Sequence, residues 1–202
     1  MNFTQIAGSG VPRRAFLIMP VAAAAWAAIF HRPGRALPDP AQTGSGPLVE
    51  LVLLAHNGAL RTVVVRKIAK TDREWRSELS SDEYSVTRRK ATEMPFTGRY
   101  WNGHQTGVYR CICCGTALFS SQTKFDSGTG WPGFSQTIAP QNICLQPDRD
   151  LPEIRTEVLC RKCDAHLGHL FNDGPPPTGL RYCLNSAALR FDSTTQLDVR
   201  PS

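Results

Sequence analysis

The sequence predicts a mainly β fold, an antiparallel β-sheet domain knotted by four cysteines and preceded by short N-terminal helices. Three observations carry this. From Tyr109 onward, short apolar or alternating runs are broken by clusters of Gly, Pro, Asn and Asp, as strands joined by turns are. Two Cys-x-x-Cys pairs, Cys111/Cys114 and Cys160/Cys163, bracket a stretch of such runs. Ahead of them, two capping-box patterns mark the starts of short helices.

The elements follow in chain order. Residues 1–32 read as an address. Arg13-Arg14-Ala15-Phe16-Leu17 resembles the twin-arginine export signal of bacteria. The apolar stretch from Ala15 to Phe30 is short for a spanning helix, which needs about 20 apolar residues. No clean Ala-x-Ala site follows Phe30, so the segment is a cleaved signal or a retained anchor. The basic His31, Arg32 and Arg35 beyond it suit twin-arginine export, which handles proteins folded beforehand. The expected location is the bacterial periplasm or the outer face of the cytoplasmic membrane. Residues 33–47, rich in Pro, Gly, Ser and Ala, read as a linker.

Residues 48–70 contain two β-rich runs around Asn57-Gly58, a strong hairpin signal. His56 in that turn reads as a solvated loop residue. Thr71-Asp72-Arg73-Glu74 starts one short helix, with Trp75 and Leu79 on its apolar face. Ser80-Ser81-Asp82-Glu83 starts another that runs to about Lys90. The main domain spans 71–192, and residues 193–202 form a tail.

Charge and cysteine count exclude several classes. The 202 residues carry a formal net charge of +6. Residues 1–47 hold four arginines against Asp39, which leaves 19 basic and 16 acidic side chains, +3, in the rest. That is too mild for a nucleic-acid footprint, which needs a clustered basic face. Seven cysteines is an odd number, so a pure disulfide framework does not account for them.

Two thiolates of a Cys-x-x-Cys turn reach one ion, and two such turns complete the closed four-thiolate tetrahedron of structural zinc. The fold class is therefore antiparallel β with a four-cysteine zinc knot of Cys111, Cys114, Cys160 and Cys163. Two disulfides are the alternative in an exported protein. Cys113 offers a third thiol for the first turn; Cys111 and Cys114 have the better spacing. A closed site stabilises rather than catalyses.

Cys183 stands outside the knot. In a strand, Arg181, Cys183 and Asn185 share one face. Arg181 beside the sulfur favours thiolate, the attacking form. A buried structural cysteine is the alternative. His166 and His169 face opposite ways in a regular strand; Gly168 between them permits a bulge that turns both to one side. Two histidines near a thiolate suit proton donation to a substrate oxygen. In Gly128-Thr129-Gly130-Trp131-Pro132, a rigid turn presents Trp131 as a pocket wall or a core plug.

These segments together resemble the B-type methionine sulfoxide reductases. The matching stretches include Glu93 to Tyr100, Lys124 to Gly128, Gly130-Trp131-Pro132, Arg155-Thr156-Glu157-Val158, His166-Leu167-Gly168-His169, Pro175 to Gly179 and Arg181 to Phe191. The resemblance implies reduction of methionine-R-sulfoxide, held in oxidised proteins or peptides, through a sulfenic acid on Cys183. It implies that His166 and His169 bind and protonate the sulfoxide oxygen. Asn185 and Asp173 would organise the site, and Trp131 would pack against the substrate methyl; Arg181, beside Cys183 in the strand, is a further substrate-binding candidate. It implies structural zinc, no organic cofactor and a thioredoxin-like or other thiol reductant; a monomer is expected, and the mild charge argues against nucleic acid. Many members of the family carry a second cysteine where this chain has Thr129. Cys144 is then the candidate resolving thiol inside the chain, and direct reduction by an external thiol the alternative. The rival readings are a non-catalytic zinc-knotted binding module and a nucleic-acid-binding zinc ribbon.

Overall fold

The two Cys-x-x-Cys turns sit where two β-sheets meet, and that junction organises the fold. The computed structural model describes residues 44–55, 57–149 and 152–193. The twin-arginine-like segment, most of the 33–47 linker, His56 and the tail beyond 193 lie outside the described residues. Among the described residues, no helix is long and apolar enough to cross a membrane.

The chain opens with a hairpin of β1 (Leu48–Leu54) and β2 (Leu60–Arg66), paired in register from Leu48↔Arg66 to Leu54↔Leu60. The turn is longer than a two-residue Asn-Gly turn: Ala55 N–H donates to the Ala59 carbonyl at 2.8 Å. Gly58 takes a left-handed φ of 80° there, which is why glycine suits the position. Two helices follow, α1 (Asp72–Glu78) and α2 (Ser81–Arg89), and both expected capping boxes form, Thr71 with Glu74 and Ser80 with Glu83. Trp75 is the buried residue of α1, as the apolar spacing requires.

The β domain follows with β3 (Gly107–Cys111), β4 (Ala117–Ser120), β5 (Lys124–Phe125), β6 (Gly133–Phe134) and β7 (Ile143–Asp148). It ends with β8 (Arg155–Cys160), β9 (His166–Phe171), β10 (Arg181–Leu184) and β11 (Leu189–Ser193). All pairings are antiparallel. One sheet has the order β5-β6-β10-β9-β8-β7 and the other β11-β3-β4. Aromatic rings from both sheets interlock in the core. Phe119 of β4 stacks on Phe134 of β6 at 4.8 Å and meets Tyr182 of β10 at 5.2 Å. Tyr109 of β3 meets Phe134 edge-on at 5.0 Å. Such pairs add to the burial of their apolar area.

The hairpin is fastened to this body by one side chain. Asn142, fully buried, accepts from Val52 N–H through Oδ1 and donates through Nδ2 to the carbonyls of Val52 and Ala117, each at 2.8 Å. Its amide pairs with the Val52 backbone as a neighbouring strand would. Asn142→Ala leaves three buried backbone groups unpaired, and we expect a loss of about 3 kcal/mol in urea unfolding. Amide exchange localises the effect: β1 amides should lose protection, and unchanged β1 protection would refute the fastening role.

Candidate active site

A one-residue irregularity in β9 builds the candidate site. β8 and β9 pair Glu157↔His169 and Val158↔Gly168, then shift to Leu159↔His166. Leu167 is therefore the extra residue of a bulge, as Gly168 led us to expect. Its carbonyl accepts from the Asn185 backbone N–H at 2.8 Å and from Asn185 Nδ2 at 3.2 Å. Gly168 has a φ of 153°, and a Cβ there would lie 2.1 Å from the Cys183 carbonyl oxygen. Only glycine lets β9 and β10 come this close. The bulge brings His166 and His169 to one side, with ring centroids 5.3 Å apart.

Register then aligns a row across the large sheet. Cys183 is opposite His169, His169 opposite Glu157, and Glu157 opposite Gln146. Directly paired residues share a face. Behind the row, each histidine meets a carboxylate. His166 Nδ1 lies 2.7 Å from Glu157 Oε1, and His169 Nε2 lies 2.7 Å from Asp148 Oδ2. A cation balances each acid: Lys90 reaches Glu157 Oε2 at 2.9 Å and Arg155 reaches Asp148 at 2.8 Å, while the neutral Gln146 amide donates to Glu157 Oε2 at 2.7 Å.

Burial alone would raise the Glu157 carboxyl, but its contacts with Gln146, Lys90 and His166 outweigh that and hold it below its usual range. Burial pushes the His166 imidazole below its usual value, against the pull of Glu157. A neutral His166 thus donates from Nδ1 to Glu157. Its buried Nε2 has no hydrogen-bond partner among the described residues.

Cys183 opens on a cavity of about 110 Å³ whose wall includes Trp131, Arg155, His169, Phe171 and Asn185. Trp131 is thus a pocket wall, and its Nε1–H donates to the Glu93 carbonyl at 3.0 Å. Three sequence candidates, His166, Asp173 and Arg181, stand off this wall. His166 is buried behind it. Asp173 has a side chain 61% exposed and grips Arg181 through two bonds of 2.8 and 2.7 Å. Arg181 also lies over the Phe171 ring at 4.3 Å.

Arg181 does pull Cys183 towards the thiolate, as expected, but burial outweighs it. Burial pushes the Cys183 thiol above its ordinary value; the Thr129 hydroxyl, 3.9 Å from the sulfur, and the Arg181 charge pull it down without prevailing. The expectation for Cys144 needs correction. It lies in β7, opposite Leu159, two residues beyond the end of the Cys183 row. Three strand spacings of about 4.8 Å separate the two cysteines, roughly 14 Å sideways. A disulfide needs Cα atoms within about 7 Å. Cys144 does not reach Cys183 in this fold.

The four knot cysteines do converge. The sulfurs of Cys111, Cys114, Cys160 and Cys163 all lie within 4.8 Å of one another, with Cys111–Cys163 at 3.6 Å and Cys114–Cys160 at 3.5 Å. A metal with sulfur bonds of about 2.3 Å in a tetrahedron spaces its ligands by about 3.8 Å. The cluster therefore fits one metal ion, and Cys113 is left out of it. The two turns are built alike. Gly115 accompanies the first and Asp164 the second, each left-handed, with N–H donating back to Cys111 and Cys160 carbonyls.

Sequence reasoning missed the groups behind the histidines. Arg155 and Glu157, two apart in β8, were legible as charged residues sharing one strand face. Asp148 carried no signal, because Pro147-Asp148-Arg149 reads as a turn. Glu93 was also missed. Its carboxylate accepts from Ser186 and Ala187 N–H at 2.6 and 3.0 Å, and its own N–H donates to Asn185 Oδ1 at 3.0 Å.

The raised thiol predicts that alkylation of Cys183 by iodoacetamide, followed by mass mapping, keeps accelerating beyond pH 9. Arg181→Met removes a favourable charge and raises the thiol further. Alkylation at neutral pH should then slow by roughly threefold to tenfold. Equal or faster alkylation would show that Arg181 does not act on the sulfur.

Comparison with known proteins places this geometry. A model of the SelR domain matches residues 79–193, more than half of the chain. A protein named peptide methionine sulfoxide reductase MsrB from Herminiimonas arsenicoxydans is 58% identical over 135 residues, 67% of this chain and 98% of that protein. Proteins of the same name from Hahella chejuensis and Acinetobacter baylyi are each 54% identical, over 63% and 65% of this chain and 91% and 95% of theirs. The chain belongs to the SelR-domain family, that of the MsrB peptide methionine sulfoxide reductases.

Proposed function

We propose that this chain reduces methionine-R-sulfoxide in oxidised proteins to methionine, with Cys183 as the attacking group. The carrying observation is the placement of Cys183 opposite His169 on the wall of a cavity sized for one side chain. The family supports sulfoxide reduction, and the residue positions support the route.

The Cys183 thiolate attacks the sulfoxide sulfur as the oxygen takes a proton; the S–O bond and the transient S–S bond then break as the hydroxyl passes to Cys183 and methionine leaves. Methionine sulfur gains two electrons; Cys183 sulfur loses two and becomes a sulfenic acid. His169, with Nε2 fixed by Asp148, keeps its second ring nitrogen for a proton bound for the departing oxygen. His166 and Glu157 support it from behind. Trp131, tethered through Glu93, supplies the apolar wall for the methyl group. A thiol donor then condenses with the sulfenic acid, releasing water, and a second thiol resolves the mixed disulfide. Thr129 stands where a resolving cysteine would receive the oxidised sulfur, so this second half falls to an external thiol.

Cys183→Ser should abolish turnover, assayed on separated sulfoxide epimers, and only the R epimer should be consumed by the parent chain. Activity retained in Cys183→Ser would sink the assignment. Thr129→Cys places a thiol beside Cys183. One turnover without reductant should then give an intramolecular disulfide by mass mapping, where the parent chain gives a sulfenic acid trapped by dimedone.

We further propose that the four-cysteine cluster holds zinc in a structural role. Cys111, Cys114, Cys160 and Cys163 would supply four thiolates and leave no open position for substrate. Metal analysis should find about one zinc per chain. Cys160→Ser should lose it together with several kcal/mol of stability. A stable, metal-free Cys160→Ser protein would remove the structural role.

A further inference from the structure

The cavity at Cys183, about 110 Å³, takes one side chain and not the polypeptide that carries it. Binding sites for larger ligands run from about 300 Å³ upward. A concavity of about 630 Å³ lies beside it, between α2 and the segment 91–99. Thr92 lines both. Asn185 lines the small cavity, and the next two residues, Ser186 and Ala187, line the large one.

Two chain segments therefore form a saddle between the cavities. Glu93 makes it rigid through its bonds to Asn185, Ser186 and Ala187, and through its carbonyl to Trp131. The groove beyond is asymmetric in charge. Asp82, Glu83 and Glu93 line it against Arg99 alone. Glu93 is held by backbone N–H groups and Glu83 by the helix cap; both keep their charge, and Asp82 is the exposed acid at the groove.

We propose that this groove receives the extended substrate polypeptide next to the oxidised methionine, and that it favours a basic residue there. The inference rests on the proposed reduction of methionine sulfoxide. With the side chain held at Cys183, the backbone crosses the saddle at Thr92 and continues along α2. The groove thus selects protein-bound over free methionine sulfoxide by adding contacts outside the reacting centre.

The full chain is assayed with N-acetyl-methionine-R-sulfoxide and with short peptides carrying a central R-sulfoxide flanked by lysine or by glutamate. Single turnovers without reductant and multiple turnovers with a dithiol reductant are followed in parallel. Ser85→Trp fills the groove from α2. The ratio of kcat/KM for peptide to that for the small substrate should fall on the order of tenfold. Asp82→Lys, at an exposed first-turn position, should shift the preference from lysine-flanked towards glutamate-flanked peptides by about fivefold. It keeps the test alive if Ser85→Trp does not fold. Unchanged ratios in both variants would overturn the groove. An effect of Ser85→Trp confined to multiple turnover would overturn it too, and would assign the surface to the thiol reductant. If the parent chain reduces neither sulfoxide, the enzymatic reading itself fails, a result distinct from the loss of peptide selectivity.

Discussion

The site depends on one backbone carbonyl, that of Leu167. A regular strand would point His166 and His169 to opposite faces. The bulge corrects this by one residue but leaves a carbonyl out of the β-ladder, and a buried unpaired carbonyl is costly. Asn185 satisfies it twice, from its backbone and from its side chain. The same Asn185 follows β10, the strand of Cys183, and receives Glu93 N–H through Oδ1. One amide thus holds the histidine strand, the cysteine strand and the loop that carries Trp131's acceptor. Gly168 completes the constraint by letting β9 approach the Cys183 backbone.

The second junction is the thiol cluster. Cys111 ends β3 of the small sheet, and Cys160 ends β8 of the large one. A metal held there would join the sheets at one end, while Phe119, Phe134, Tyr109 and Tyr182 interlock between them. Arg88 Nη1 donates to the Cys163 carbonyl at 2.9 Å, so α2 is anchored to the same knuckle. The thiol cluster, the core and α2 therefore share one foundation.

What the sequence made legible follows the range of the interactions. Capping boxes, the Asn-Gly turn and the Cys-x-x-Cys turns are local, so Thr71, Ser80, Gly58 and Cys111 announced their roles directly. The bulge was legible because Gly168 sits between two histidines. The groups behind the site were not. Asp148 and Glu157 matter through pairing across three strands, and register over that distance is not written in any one segment. Burial was misjudged for the same reason: Arg181 is two residues from Cys183 and visible in sequence, while the surroundings that desolvate the thiol come from several strands. Cys144 looked available as a spare thiol until strand order set it at the sheet's far edge.

Thr129 beside Cys183, in place of a second thiol, has a consequence for survival under oxidative load if the proposed chemistry holds. On the proposed chemistry, a sulfenic acid with no adjacent thiol persists until a donor arrives. During that interval a second oxidant molecule competes with the donor, and its product, a sulfinic acid, is not recovered by ordinary thiols. The half-buried position of Cys183, in a cavity the size of one side chain, then acts as a shield as well as a pocket. It slows the small oxidant and the thiol donor alike. Endurance of such an enzyme is set by the ratio of those two arrivals, a kinetic partition decided after catalysis is over.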